Sequence, residues 1–115
     1  MKKKVVPSDS LQRQYQRLCS SLANSGYISQ GSVVDRSRLR PARSGYQWTR
    51  KVTRKTITVA LSPEQFYALR QAIKNRRTLQ KTIGKMERLS REILFKTVRD
   101  TRRHKPLPKR TLGLI

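Results

Sequence analysis

Apolar positions recur along this chain in distinct rhythms. Leu11, Tyr15, Leu18 and Leu22 follow one another at spacings of four, three and four, which lines up one face of a helix. Ser8 stands ahead of the stripe as a cap, and Asn24-Ser25-Gly26 stops it, since glycine takes the left-handed conformation that ends helices. A helix is predicted over 8–25. Tyr27-Ile28 and Val33-Val34 flank Gly31 as candidate short extended pieces.

Between 46 and 61 the period becomes two. Tyr46, Trp48, Arg50 and Val52 alternate with Gln47, Thr49 and Lys51, and Ile57, Val59 and Leu61 alternate with Thr56, Thr58 and Ala60. An antiparallel hairpin over 46–61 follows. Pairing Val52 with Ile57, Arg50 with Val59 and Trp48 with Leu61 puts the large apolar groups on one face, and a one-residue slip would separate Trp48 from Leu61. The loop must therefore hold an even number of residues. A two-residue Arg54-Lys55 turn would need positive φ without glycine, so a four-residue loop, Thr53 to Thr56, is the more comfortable choice.

Ser62-Pro63-Glu64-Gln65 reads as a helix start, with Ser as N-cap, Pro in the first turn and Gln placed for a capping box. Helical residues continue from 63 to about 99. Phe66, Leu69 and Ile73 form one apolar stripe, and Leu79, Ile83, Met86, Leu89 and Ile93 form a second, with Arg76 and Gln80 between them. The segment is one long helix or two with a bend near 75–78. Residues 1–7 read as a disordered basic arm, 35–45 as a mobile basic loop and 101–115 as a flexible basic tail. The expected fold is α+β: N-terminal helix, β-hairpin and one long C-terminal helix, in a single small domain over 8–100. Trp48, Val52, Ile57, Val59 and Leu61 are expected to pack on Phe66, Leu69 and Ile73.

Charge changes the picture most. The 115 residues hold 28 Lys+Arg against 6 Asp+Glu, a formal net charge of +22, and only 35% are hydrophobic. Such a chain repels itself, so a polyanionic partner is expected and a large core with a buried active site is not. No apolar run reaches membrane-span length, and the basic start lacks the apolar stretch of a secretion signal. Cys19 is the only cysteine, so neither an internal disulfide nor a cysteine-rich zinc site is available, and a cytoplasmic setting is the expectation.

The run Ser44-Gly45-Tyr46-Gln47-Trp48-Thr49-Arg50-Lys51-Val52, with Lys55-Thr56-Ile57-Thr58 and Leu61-Ser62-Pro63-Glu64-Gln65, resembles a small family of uncharacterised bacterial and archaeal proteins. In that family a Gly-Pro-Tyr-Tyr-type strand leads through a turn and a second strand to a Pro-Glu-Gln helix. Asn75-Arg76-Arg77 and Leu89-Ser90 on the long helix are similar too, and the likeness covers roughly residues 10–95. It implies a mobile-element context and no catalytic residue. This chain departs from the family at Arg36 to Arg43, where relatives carry cysteines, and at Thr53-Arg54, where an Asn-Gly-like pair is usual. No metal role is carried over.

The acids have ordinary structural roles to fill. Asp9 and Glu64 fall in first helical turns, Glu87 can pair with Arg91, Glu92 with Lys96 and Asp100 with His104, which leaves Asp35 without one. A two-metal nuclease needs several convergent carboxylates. His104 is the only histidine and lies in the tail, and Cys19 reads as a partly buried small apolar residue. Tyr15, Phe66, Tyr67 and Phe95 read as helix packing. No catalytic residue, metal or cofactor is therefore expected.

The cations exceed what a solvated surface of mixed sign would hold. Lys74, Arg77, Lys81, Lys85 and Arg88 recur at three and four beside the apolar stripe, over about 20 Å of helix, with Arg70 preceding them. Arg36, Arg38, Arg40 and Arg43 fill the loop, Lys51, Arg54 and Lys55 the hairpin tip, and Arg102, Arg103 and Lys105 the tail. These are the candidate contacts to a nucleic-acid phosphate backbone, DNA or RNA. A non-enzymatic nucleic-acid-binding protein, an accessory factor of a mobile element, is the leading expectation. The alternatives are an RNA-bound structural subunit of a ribonucleoprotein, and a helical adaptor or homodimer, coiled-coil in character, joined through the Leu79–Ile93 face.

Overall fold

Ser62 and Gln65 set the start of the longest element. The Ser62 N–H donates to Gln65 Oε1 at 2.9 Å, and the Gln65 N–H donates to Ser62 Oγ at 3.1 Å, a reciprocal capping box. In the computed structural model, which describes residues 7–98, 100, 102 and 105–115, the chain runs α1 (Pro7–Leu22), β1 (Ser32–Asp35), β2 (Tyr46–Val52), β3 (Lys55–Leu61), α2 (Pro63–Thr97) and the single turn α3 (Lys109–Leu112). This is the expected α+β class, with a third strand added at the Val33-Val34 piece. The arm at 1–6, Arg99, Arg103 and His104 lie outside the described residues. Where one domain over 8–100 is expected, two compact units form: Ser25–Leu79, and Met1–Asn24 together with Gln80–Ile115. The unbroken helix α2 contributes to both.

In the Ser25–Leu79 unit the sheet order is β1-β2-β3, antiparallel throughout. Tyr46, Trp48, Arg50 and Val52 stand opposite Leu61, Val59, Ile57 and Lys55. The parity expected for the hairpin is therefore correct and the register is shifted. The turn is the two residues Thr53 and Arg54, both at positive φ (45° and 68°), instead of four. The physical reason lies at the far end. The register expected from the apolar pattern would set Tyr46 against Pro63, which has no N–H and already belongs to α2. The observed one pairs every residue of both strands, and that longer ladder offsets the turn strain.

The sheet needs Gly31. At φ 103° its backbone lies so close to β2 that a Cβ would come within 2.5 Å of both the Thr49 carbonyl oxygen and Trp48 Nε1. Trp48 Nε1 donates to the Gln30 carbonyl at 3.0 Å, and Arg50 lies over the Trp48 ring at 5.6 Å. Residues 25–29 are tied to α2 through Asn75. Its Nδ2 donates to the Tyr27 carbonyl at 2.9 Å while Gln71 Nε2 donates to its Oδ1 at 2.9 Å, and the Ser29 N–H donates to the Ala72 carbonyl. The buried residues, among those described, are Phe66, Ala72 and Ile73. Tyr46 stacks on Phe66 with ring centroids 4.3 Å apart. Ile57 and Val59 are exposed, so the expected packing of the whole apolar strand face on α2 does not form.

In the other unit α1 begins at Pro7, suited to a first turn, and ends at Leu22, short of the expected 25. Leu11, Tyr15, Leu18 and Leu22 are half-buried, as are Met86, Leu89 and Ile93 of α2. Two grooves run between these helices. One is lined by Leu18, Leu89 and Leu114, and the other by Tyr15 and Ile93. Within the segment 101–115, expected as a flexible basic tail, the turn α3 is closed by Gly113 in the left-handed conformation, and Arg91 Nε donates to the Leu112 carbonyl. Arg91 is thus turned away from Glu87, its expected partner. Cys19, expected to be partly buried, is exposed.

Candidate nucleic-acid interface

The basic loop is built on a backbone frame. The Arg36 N–H donates to the Gly45 carbonyl at 2.9 Å, and the Leu39 and Arg43 N–H groups donate to the Arg36 carbonyl. Asp35 caps the short 3-10 turn Arg36–Arg38, accepting from Ser37 Oγ at 2.7 Å and from the Ser37 N–H at 3.0 Å. Those two bonds, the hydroxyl first, hold its carboxyl below the ordinary carboxylate value. This is the role that the sequence left open for Asp35. Arg36 Nε donates to Gln47 Oε1 at 3.3 Å and is half-buried, so its guanidinium serves the fold, whereas Arg38, Arg40 and Arg43 are exposed.

At the hairpin tip Lys51, Arg54 and Lys55 are exposed. The register sets Lys51 opposite Thr56 on one face and Lys55 opposite Val52 on the other, so the tip carries charge on both sides. Along α2, Arg70, Lys74, Arg77, Lys81, Lys85 and Arg88 are all exposed. In the Ser25–Leu79 unit Arg70, Lys74 and Arg77 join Arg38 around a groove of about 580 Å³ whose apolar wall includes Tyr46, Phe66, Tyr67 and Ile73, with Asp35 as its one acid. In the other unit Lys85 and Arg88 join Arg17 around the groove of about 650 Å³ that Leu114 also lines. Glu92 also lines that groove and pairs with Lys96 at 3.3 Å. Of the tail candidates Arg102 is exposed and lies 3.2 Å from Asp100, Lys105 is exposed, and Arg103 lies outside the described residues.

Ion pairing leaves most of this charge unanswered. Among the described residues the pairs are Lys96–Glu92 and Arg102–Asp100, and no cation of the α2 stripe is paired with a carboxylate. Like charges at three and four along a helix each cost about 0.2–0.5 kcal/mol. The successive neighbours from Arg70 to Arg88 therefore destabilise free α2 by roughly 1–2 kcal/mol in total, which bound polyanion would remove. Among the described residues no three His, Cys, Asp or Glu side chains come together as metal ligands, and no helix is long and apolar enough to cross a membrane.

Sequence reasoning missed Arg17 and the aromatic lining of the first groove. Arg13 and Arg17, four apart on α1, were the available signal for a basic edge there. The meeting of Tyr46 with Arg70, Lys74 and Arg77 had no local signal, because the strand-to-helix approach creates it, whereas Tyr67 stands three and seven residues before Arg70 and Lys74 on one helix, a spacing open to view in the sequence. The Leu79–Ile93 face, a candidate partner surface, is partly occupied within the chain, since Leu89 and Ile93 share grooves with α1. Compared with known proteins, the chain matches no family model, no curated protein and no solved structure.

Proposed function

We propose that this chain is a non-enzymatic nucleic-acid-binding protein that holds phosphate backbone through the exposed cations of α2, the hairpin tip and the 36–45 loop. The observation that carries this reading is the unpaired stripe Arg70, Lys74, Arg77, Lys81, Lys85 and Arg88 in a chain of net charge +22. Fixed on one helix, these cations release condensed counterions from a nucleic acid without first being ordered. A cytoplasmic accessory factor of a mobile element is the setting we favour, on the family resemblance alone. Binding to an oligonucleotide, followed against salt, tests the reading. With about 6–8 phosphates neutralised, log K falls against log salt with a slope of roughly −5 to −7. A slope near zero overturns it.

One observation favours a second reading, an RNA-bound structural subunit. Among the described residues three are buried, Phe66, Ala72 and Ile73, which is a thin core. A protein of that kind gains its stability inside an assembly, and its discriminating property is solubility and cooperative melting only in the presence of RNA.

A further inference from the structure

The groove in the Ser25–Leu79 unit differs from the rest of the basic surface because it joins cations to an open aromatic ring. Tyr67 is 58% exposed although it lies on α2 beside buried Phe66. Phe66 meets it edge to face, with ring centroids 5.2 Å apart and planes at 80°. That contact steadies the ring and leaves most of its surface open. Arg70 and Lys74 lie three and seven residues further on, so ring and cations share one face of the helix. Arg77 continues the row and Arg38 closes the groove from the loop side. Asp35 is engaged by Ser37, so one acid already bound within the turn faces four cations.

We propose that this groove takes single-stranded nucleic acid, with one base stacked on Tyr67 and the neighbouring phosphates on Arg70, Lys74 and Arg77. The inference deepens the phosphate-binding reading and rests on it. A volume of about 580 Å³ is that of an ordinary small-ligand cleft, which admits an unstacked base with its phosphate but not a convex duplex. Every base has a π-face, so stacking gives affinity for single strands without selecting a sequence. Simple phosphate capture has no use for the ring, and the ring adds nothing to a duplex whose bases are stacked on each other.

The test uses the full chain and three labelled probes of equal length: a mixed-sequence single strand, a strand of abasic units with the same phosphates, and a duplex. Tyr67→Ala is expected to weaken the base-bearing strand by roughly five- to a hundred-fold while leaving the abasic strand and the duplex within about two-fold. Tyr67→Trp retains the affinity. Because Tyr67 is exposed, the variant keeps its fold, checked by an unchanged circular dichroism melt. Ribose and deoxyribose versions run in parallel identify the sugar, and the Tyr67→Ala loss in either sustains the proposal. If Tyr67→Ala changes nothing, or weakens the abasic strand equally, base stacking is overturned while phosphate binding stands. If the unaltered chain binds none of the probes near physiological salt, the phosphate reading itself fails.

Discussion

Residues 25–79 and the paired segments 1–24 and 80–115 fold by different means, although one helix serves both. The first unit encloses its core between a three-stranded sheet and α2, and it holds all the buried side chains among the described residues. Its loops are fixed by named bonds: Asn75 to Tyr27, Trp48 to Gln30, and Asp35 to Ser37. The second unit is helical, and its apolar groups stay half-buried or, at Ile83, Leu94, Phe95 and Val98, exposed. The difference teaches where burial comes from. A helix laid on a sheet is covered over a broad face, while a pair of helices covers one narrow stripe on each partner. Cations are abundant in both units, so charge is the shared property and core density is not.

Truncation of one isoleucine in each unit probes that contrast most strongly. Ile73→Ala removes a buried side chain and is expected to cost about 2–4 kcal/mol, whereas Ile93→Ala, at a half-buried site, costs about 1 kcal/mol. Hydrogen exchange resolved for each unit reads both. Equal costs would break the comparison.

The hairpin turn offers a gain of intermediate size. Thr53 and Arg54 occupy positive φ, which costs an L-residue roughly 1–2 kcal/mol and a β-branched one the most. Replacing the pair with Asn-Gly is expected to stabilise the first unit by about 1–2 kcal/mol, read as a raised denaturation midpoint with unchanged slope. A destabilised double variant would contradict the two-residue turn.

The smallest effect is the titration of Asp35. Its carboxyl, held down by Ser37, contributes to folding above the ordinary value of 3.8, and the contribution is lost as pH falls through its lowered folded value. Carboxyl titration by NMR should give a midpoint under 3.8, and Ser37→Ala should move it back up. An unshifted midpoint in the unaltered chain would remove the capped turn from the frame of the basic loop.

Much of the fold was legible because its signals are local. The capping box at Ser62 and Gln65, the stripe Leu11–Leu22 and the alternation through 46–61 each depend on neighbours in sequence. The register was not, because Pro63 at the far end decides it as much as the turn. Nor was β1: Ser32–Asp35 is four residues long, and only its pairing with Tyr46–Thr49 makes it a strand. The groove that Leu18, Leu89 and Leu114 line together is equally long-range. For the site, the spacing of the α2 cations foretold their exposure. The bond from Arg36 Nε to Gln47, eleven residues away, had no signal in the sequence. The groove at Tyr67 has β1 and Tyr46 as its other wall, which only the folded sheet supplies.

The central claim is that the α2 cations hold phosphates. Its most direct test is the salt dependence of oligonucleotide binding in the quadruple variant Lys74→Glu, Arg77→Glu, Lys81→Glu, Lys85→Glu. Those four side chains are exposed, so the fold survives the change. The account predicts weaker binding on every sequence and a slope of log K against log salt flattened by roughly 3–4. Unchanged affinity and slope in a folded variant would contradict it and place the contacts elsewhere on the chain.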